Sequence, residues 1–226
     1  MLGVIGAMRY LPILVDLAGR SCLVVGGGAV AARKVEQLLD ARAHVTVVAK
    51  SIGTRMAEIA ASSEATLRIE QRPYHPSDLD GVALAFAATD DPELQEAISA
   101  QARAAGIWLN AVDEPERCSF VMPAILDRDP LVVAVSTSGA SPALARRIRD
   151  DLDAALGPEY AAAVDTLARL RGRYAPGRPR QEAFVRLVDG GLLDALRGGD
   201  RRRVDELVAA ACAGLPETTA RAEGTP

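Results

Sequence analysis

A run of glycines between two apolar segments is the feature that most constrains this chain. Residues 21–25 (SCLVV) are apolar and β-branched, which predicts a buried strand, and residues 29–41 carry apolar side chains at helical spacing. The turn between them fits the pattern G-x-G-x-x-A, which permits a tight bend, close approach of a phosphate and close helix–strand packing. We therefore predict a dinucleotide-binding turn; the alternative is a tight turn without a ligand. The predicted cofactor-binding residues of the turn are Gly26, Gly27, Gly28, Ala29 and Val30.

Strands and helices alternate through the first half of the chain. Further strands are predicted at residues 44–49, 66–71, 82–87 and 107–110, and further helices at residues 51–62, with Ser51 as N-cap, and 92–105, with Asp91 as N-cap and Gly106 as the end. Alternation over short loops implies a parallel, doubly wound sheet, that is, a Rossmann-like α/β fold. Residues 1–117 are assigned to an NAD(P)-binding domain, whose start at Met1 or Met8 is left open.

The pattern changes in the second half. Two apolar, β-rich runs, residues 120–126 and 131–137, have no helix between them and predict an antiparallel pair, and Ser141-Pro142 starts a helix. The chain is then helical to about residue 213, with breaks near residues 157–158, 175–179 and 198–199. We assign residues 118–150 to a small α+β region, 151–214 to a C-terminal helical domain and 215–226 to a disordered tail.

Composition removes several classes of protein. With a net charge of −4 and 49% hydrophobic residues, the chain needs no nucleic-acid partner. Cys22, Cys118 and Cys212 lie far apart without C-x-x-C spacing, so we expect no disulfide framework and a reducing cytoplasm. His44 and His75 lack metal-ligand spacing, so no metal site is expected. The chain has no run of about 20 apolar residues, so no membrane span is expected.

The residues at the end of the second predicted strand do not decide between NAD and NADP. An acidic residue usually binds the adenosine ribose at this point, but here Lys50-Ser51 follows the strand. Lys50 would suit the 2′-phosphate of NADP, or it is a solvated loop lysine. Arg33 and Lys34 lie early in the first helix, where we expect a solvated face.

Several stretches together resemble the dehydrogenase/ferrochelatase module of siroheme synthase. They are LPI (residues 11–13), GGGAVAARK (26–34), AATDD (87–91), NAVD (110–113) and CSFVMPAILDRDPLVVAVSTSGASPALAR (118–146). The resemblance spans residues 9–155 and is to a stand-alone form without a methyltransferase domain. It implies oxidation of precorrin-2 to sirohydrochlorin by NAD, with NADP not excluded, and in bifunctional members insertion of Fe²⁺ as a substrate. It also implies a homodimer formed through residues 120–137, with the active site between that region and the nucleotide domain.

Asp113 is the predicted general base. It ends the NAVD stretch at the carboxyl end of the fifth predicted strand, where open α/β sheets place ligands. The resemblance places the catalytic aspartate of the family at this position. Burial beside apolar segments would raise its pKa and improve it as a base near neutral pH. The alternative is a turn-forming aspartate before Glu114-Pro115.

The remaining site residues follow from the polyanionic substrate that the resemblance implies, since precorrin-2 carries eight carboxylates. We expect Asn110, Ser136, Thr137, Ser138, Ser141 and Arg146 to bind it, through hydroxyls, a capped helix start and a cation. The alternative is that Ser141 only caps its helix and the arginine is solvated. Thr89 and Asp90 follow the fourth strand and are expected near the cofactor, whereas Asp91 is read as an N-cap. A serine that is phosphorylated in some relatives matches Thr137 here, which leaves such regulation open.

Three other functions stay open at this point. The first is a dehydrogenase without chelatase activity, which the sequence does not separate from a bifunctional enzyme. The second is a nucleotide-sensing regulatory module, which would predict an acidic residue at the end of the second strand. The third is a helical interaction protein with a degenerate nucleotide fold, which the helical region from residue 150 to residue 213 permits.

Overall fold

The computed structural model describes residues 10–63 and 65–218. The chain divides into two compact units, Met1–Met122 and Pro123–Pro226, each with its own elements.

The first unit is a five-stranded parallel sheet covered by helices. Its elements are β1 (Ser21–Val25), α1 (Ala29–Asp40), β2 (His44–Ala49), α2 (Thr54–Ser62), β3 (Leu67–Gln71), β4 (Leu84–Ala87), α3 (Pro92–Ala105) and β5 (Trp108–Ala111), with short 3₁₀ turns at Pro76–Leu79 and Pro115–Arg117. The strand order is β3-β2-β1-β4-β5, and every pairing is parallel. The order reverses between β1 and β4, which is where such sheets bind ligands. The predicted Rossmann-like fold is therefore confirmed.

Apolar cores lie on both faces of this sheet. Successive residues of β1 alternate between them: Val24 joins the core under α1 and α2, while Leu23 joins the core under α3. Both side chains are 0% exposed. A strand buried on both faces reads as a continuous apolar run, which explains the SCLVV segment.

The start of α2 corrects the sequence-based prediction. Ser51 is not its N-cap, because the helix begins at Thr54 and the residue before it is Gly53. Residues 51–53 instead pack against the glycine turn, where the N–H of Gly53 donates to the carbonyl of Gly27 at 2.9 Å. Packing against a distant turn therefore displaced the helix start by three residues.

In its described residues the second unit contains a hairpin and five α-helices. They are β6 (Ala124–Arg128), β7 (Leu131–Val135), α4 (Pro142–Ala155), α5 (Pro158–Arg173), α6 (Arg178–Leu187), α7 (Leu193–Arg197) and α8 (Arg201–Cys212), and a π-helical turn at Val188–Leu192 joins α6 to α7. β6 and β7 pair antiparallel, as predicted. β6 is shorter than predicted because Phe120 and Met122 pack against the core of the first unit. The predicted helix breaks are confirmed, and a further kink occurs at Gly191, whose φ is 99°.

The α5–α8 helices share one apolar core, which contains Leu170, Leu187, Leu192 and Cys212. Residues 215–218, predicted as part of the tail, are held against this core by the end of α5. The N–H of Thr218 donates to the carbonyl of Arg173 at 2.8 Å. The rest of the predicted tail and both candidate starts lie outside the described residues. Within the described ranges, no helix is long and apolar enough to cross a membrane.

Candidate functional site

A cleft of about 910 Å³ lies at the carboxyl ends of the strands in the first unit. It is lined by residues 25–30, 48–53, 72–74, 88–92, 94–95 and 112–114. All of these described lining residues belong to the first unit, and the sheet topology brings together segments nearly ninety positions apart. Asp113, the predicted base, lines this cleft. So do all eight predicted cofactor-binding residues: Gly26, Gly27, Gly28, Ala29, Val30, Lys50, Ser51 and Thr89.

The first two glycines of the turn are required by close backbone packing. Gly26 has a φ of 130°, and a Cβ there would lie 2.1 Å from the carbonyl oxygen of Ala88. A Cβ on Gly27 would lie 2.0 Å from the carbonyl oxygen of Ser51. These glycines let the turn lie against the loops after β4 and β2, so they shape the cleft rather than face its opening.

Gly28 differs from its neighbours because a Cβ there would meet nothing within 4 Å. It is the N-cap of α1, a helix with no capping side chain and no acidic residue in its first turn. The first N–H groups of a helix need an external acceptor, and the helix dipole favours an anion there. The open space beside Gly28 and these free donors fit a dinucleotide pyrophosphate.

Two basic side chains lie on the rim of the cleft, Lys50 after β2 and Arg72 after β3, and only Arg72 is paired with a carboxylate. Arg72 donates to both carboxylate oxygens of Asp78, at 2.9 and 2.6 Å, and this contact lowers the pKa of Asp78. Lys50 is exposed beside Ser51 and forms no ion pair within the described ranges. Lys50 is thus available to an anionic ligand, whereas the charge of Arg72 is already balanced.

The loop after β4 combines a helix cap with a half-buried threonine. Oδ1 of Asp91 accepts from the N–H groups of Glu93 and Leu94, at 3.1 and 3.0 Å, which supports the N-cap interpretation. The N–H of Asp91 in turn donates to Oγ1 of Thr89 at 3.3 Å. Thr89 and Asp90 both line the cleft, beside the glycine turn.

Asp113 lies in the turn that follows β5. Its φ is 63°, in the left-handed region that Asp tolerates better than most residues. The preceding residue is tied to the sheet, since the N–H of Val112 donates to the carbonyl of Ala87 at 2.9 Å. The expected burial of Asp113 is wrong: Ala111 is buried, but the turn carries Asp113 to the surface of the cleft.

Sequence reasoning missed Gln95, which lies on the first turns of α3 and is 6% exposed. Its Nε2 donates to the carbonyl oxygens of Thr89, at 2.6 Å, and Val112, at 3.4 Å. Its position in the sequence could have indicated it, because Gln95 follows the Asp91 cap by one helical turn and so faces the sheet. A polar residue facing the sheet there needs buried partners.

Asn110 does not line the cleft, although it belongs to the NAVD stretch. Its Nδ2 donates to the carbonyl of Phe120 at 3.0 Å and lies 3.6 Å from Sγ of Cys118. The Cys118 thiol itself contacts the carbonyl of Ala111 at 3.1 Å, and burial raises its pKa. In this structure the Asn110 amide holds the segment after β5 in place.

Lys34 corrects another expectation, since it is buried rather than solvated. It is 9% exposed, and its Nζ lies 5.2 Å from the centre of the Phe86 ring, in cation–π range. Burial lowers its pKa. Arg33, one position earlier, is exposed as expected.

The predicted substrate residues of the serine-rich loop belong to the second unit. Oγ1 of Thr137 accepts from the N–H of Ser141 at 3.0 Å, and Oγ of Ser141 accepts from the N–H of Leu144 at 3.2 Å as the cap of α4. Oγ of Ser136 accepts from the N–H of Ser138 at 3.1 Å. Because these hydroxyls accept hydrogen bonds from the backbone of the same loop and of the first turn of α4, the loop is held as a turn without a ligand. Arg146 is exposed and forms no ion pair with any described residue.

No group of three or more His, Cys, Asp or Glu side chains suited to a metal ion occurs between residues 10 and 63 or 65 and 218.

Two family models match this chain. A family model for NAD(P)-binding domains matches residues 13–124, and a model for the central part of sirohaem biosynthesis proteins matches residues 128–155. The fold and the glycine-lined cleft thus define the class as NAD(P)-binding Rossmann proteins.

Named relatives narrow the class. The siroheme synthase of Nitrosomonas europaea is 39% identical over 196 residues, which is 85% of this chain and 41% of that protein. The siroheme synthase of Ectopseudomonas mendocina is 46% identical over 166 residues, 74% of this chain and 35% of that protein. The chain thus spans less than half the length of these relatives. A solved structure titled SirC, precorrin-2 dehydrogenase, matches with a TM-score of 0.69 and 26% identity, covering 89% of this chain and 98% of that one. The chain is similar to siroheme synthases over most of its own length, and the predicted resemblance to this family is confirmed.

Proposed function

We propose that this protein oxidises precorrin-2 to sirohydrochlorin with NAD(P)⁺. The observation that carries the proposal is the meeting of the glycine turn and Asp113 in one cleft at the strand ends. The similarity to SirC, whose title names a precorrin-2 dehydrogenase, supports the choice of substrate. A regulatory nucleotide sensor would not need a carboxylate at this place.

The cofactor would be held by the first turn of α1. The pyrophosphate would accept from the N–H groups that begin at Gly28, where no capping side chain competes. When bound, the nicotinamide ring supplies the acceptor for the hydride that the substrate loses. We propose NAD⁺ as the cofactor; the exposed Lys50 on the rim is the group that would favour a 2′-phosphate in the alternative with NADP⁺.

Asp113 would take the proton that leaves the substrate together with the hydride. A general base must lie within hydrogen-bond distance of the proton it removes, and an exposed carboxylate on the cleft wall can approach a bound macrocycle. The same carboxylate would accept one of the two pyrrole protons released on metal insertion, and the other would pass to solvent.

The test is an assay of the purified protein with precorrin-2 and NAD⁺. We expect the near-ultraviolet absorbance of NADH to rise while sirohydrochlorin forms. A parallel reaction with NADP⁺ determines the cofactor preference. If neither cofactor is reduced by protein whose circular dichroism shows it to be folded, the proposed activity is wrong, and binding of a nicotinamide cofactor without turnover would then favour the regulatory module.

Insertion of Fe²⁺ into sirohydrochlorin is a second candidate activity. The names of the siroheme synthase relatives favour it, whereas SirC is named only as a dehydrogenase. Fe²⁺ would be a substrate here. Addition of Fe²⁺ or Co²⁺ to the sirohydrochlorin product, followed by absorption spectroscopy, distinguishes a bifunctional enzyme from a dehydrogenase alone.

The second unit is proposed to bind substrate carboxylates and to dimerise. Binding would use Arg146 and the serine-rich loop before α4. The hairpin supports dimerisation, because α4 covers one face and the other exposes Ile125 and Val132, which are 37% and 45% exposed. Two residues of α4, Leu144 and Ile148, are also exposed. The distinction between a dimerisation region (residues 118–150) and a helical domain (151–214) stays a proposal, supported by a core of α5–α8 that contains no residue of the former. Its bounds differ from those of the structure, because the first unit extends to Met122 and α4 continues to Ala155. A cytoplasmic location stays a prediction.

A further inference from the structure

Gln95 connects the loop of Thr89, which is predicted to lie near the cofactor, to the loop of Asp113, the proposed base. Its side chain reaches from α3 into the space between the ends of β4 and β5. There its Nε2 lies 2.6 Å from the carbonyl oxygen of Thr89 and 3.4 Å from that of Val112. Thr89 follows β4 on the cleft wall, and Val112 immediately precedes Asp113. One amide group therefore contacts both loops.

The orientation of this amide follows from its partners. The opposite orientation would place Oε1 against two carbonyl oxygens, with no donor among them. In the orientation that the partners require, Oε1 of Gln95 is buried and has no hydrogen-bond partner among the described residues. An unpaired buried acceptor is unfavourable, and Gln37 has one as well, so what distinguishes Gln95 is the pair of carbonyl contacts made by its Nε2.

We propose that Gln95 is a positioning residue for the dehydrogenation, which acts by holding the Asp113 turn at a set distance from the Thr89 loop. The inference rests on the proposed function, because Asp113 is the proposed base. The role requires a donor at this position, not merely a side chain of suitable volume. Among uncharged side chains of this size, only an amide carries two N–H hydrogens on one atom for two carbonyl oxygens.

Two substitutions separate these requirements. Gln95→Met keeps the approximate volume but removes the donor, and we expect kcat to fall at least about tenfold. Because Nε2 also contacts the loop of Thr89, the affinity for NAD⁺, measured by calorimetry, should change by less than kcat. Gln95→Glu is isosteric, but its carboxylate donates no hydrogen bond. Its kcat should therefore be low at neutral pH and, relative to the wild type at each pH, should rise as the pH falls and the carboxyl gains a proton.

Gln37→Met is the matched control. Gln37 lies on α1, is half-buried and also has a buried Oε1 without a partner, but it does not line the cleft. This control should retain wild-type kcat. Wild-type kcat in Gln95→Met, or a Gln95→Glu to wild-type ratio that does not change with pH, would overturn the inference. An inactive wild type would instead overturn the proposed function, which the same assay shows separately. If Gln95→Met fails to fold, the pH-dependent ratio of Gln95→Glu still decides.

Discussion

Asp113 combines a carboxylate with a backbone conformation that few residues adopt. At a φ of 63° a residue with a Cβ is strained, and Asp and Asn are among the residues that tolerate this region best. The side chain is exposed on the cleft wall, so desolvation of the carboxylate is not what would suit it to catalysis. What would suit Asp113 to catalysis is its position beside the glycine turn, where the cofactor is proposed to bind.

Substitution of Asp113 by Asn is the direct test at this position. Asparagine keeps the left-handed conformation but cannot accept a proton, so we expect kcat to fall by about 10²-fold or more. The affinity for NAD⁺, measured by calorimetry, should be unchanged.

Glu116→Gln is the control for this substitution. It removes a nearby exposed carboxylate that does not line the cleft, and it should leave turnover unchanged. Turnover by Asp113→Asn at the wild-type rate would remove Asp113 from the mechanism.

At the scale of elements, two glycines of the β1–α1 turn, Gly26 and Gly28, have different roles. Gly26 is needed for the fold, because its φ is 130° and any Cβ would collide with the backbone at Ala88. Gly28 has an ordinary φ of −80° and open space around it, so the fold tolerates a side chain there. The space at Gly28 is where a phosphate would lie.

This contrast predicts opposite effects for two substitutions. Gly26→Ala should lower the free energy of unfolding by about 1–3 kcal/mol, as measured by denaturant titration. Gly28→Ser should preserve or raise that free energy, because serine is a good N-cap, but its hydroxyl would compete with the phosphate for the same N–H groups. We expect its affinity for NAD⁺ to fall about tenfold. Unchanged affinity in Gly28→Ser would show that the pyrophosphate does not bind at this helix end.

At the scale of the whole molecule, the exposed face of the hairpin matters most. It carries Ile125 and Val132, with Asp127 opposite Val132. A two-stranded ribbon is marginally stable by itself and leaves unpaired backbone groups at both edges. Here α4 covers one face, while Ile125 and Val132 remain exposed on the other. A second copy of the chain packed on this face would bury the apolar side chains.

The predicted dimer can be tested by one charge substitution. We expect the wild type to sediment as a dimer and Val132→Asp to shift toward monomer, because the interface would have to bury an unpaired carboxylate. Val185→Asp is the control, since Val185 is 60% exposed on α6, away from the hairpin. A monomeric wild type, or a Val132→Asp variant that remains dimeric at the same concentration, would contradict the assignment.

The sequence by itself determined the elements and most of their ends. The apolar runs of the strands, the glycine turn, the Asp91 and Ser141 caps and the helix end at Gly106 all depend on residues within a few positions of one another. Local chemistry is sufficient for such features, and the family resemblance followed from the same segments.

Only the tertiary structure decided what these elements place side by side. The strand order brings the loops after β4 and β5 next to the glycine turn, and Gln95 acquires its two carbonyl partners from both of them. The same packing buried Lys34 and left Asp113 exposed, the reverse of what was expected for each. Burial and pairing depend on residues distant in the chain, so no local pattern contains them.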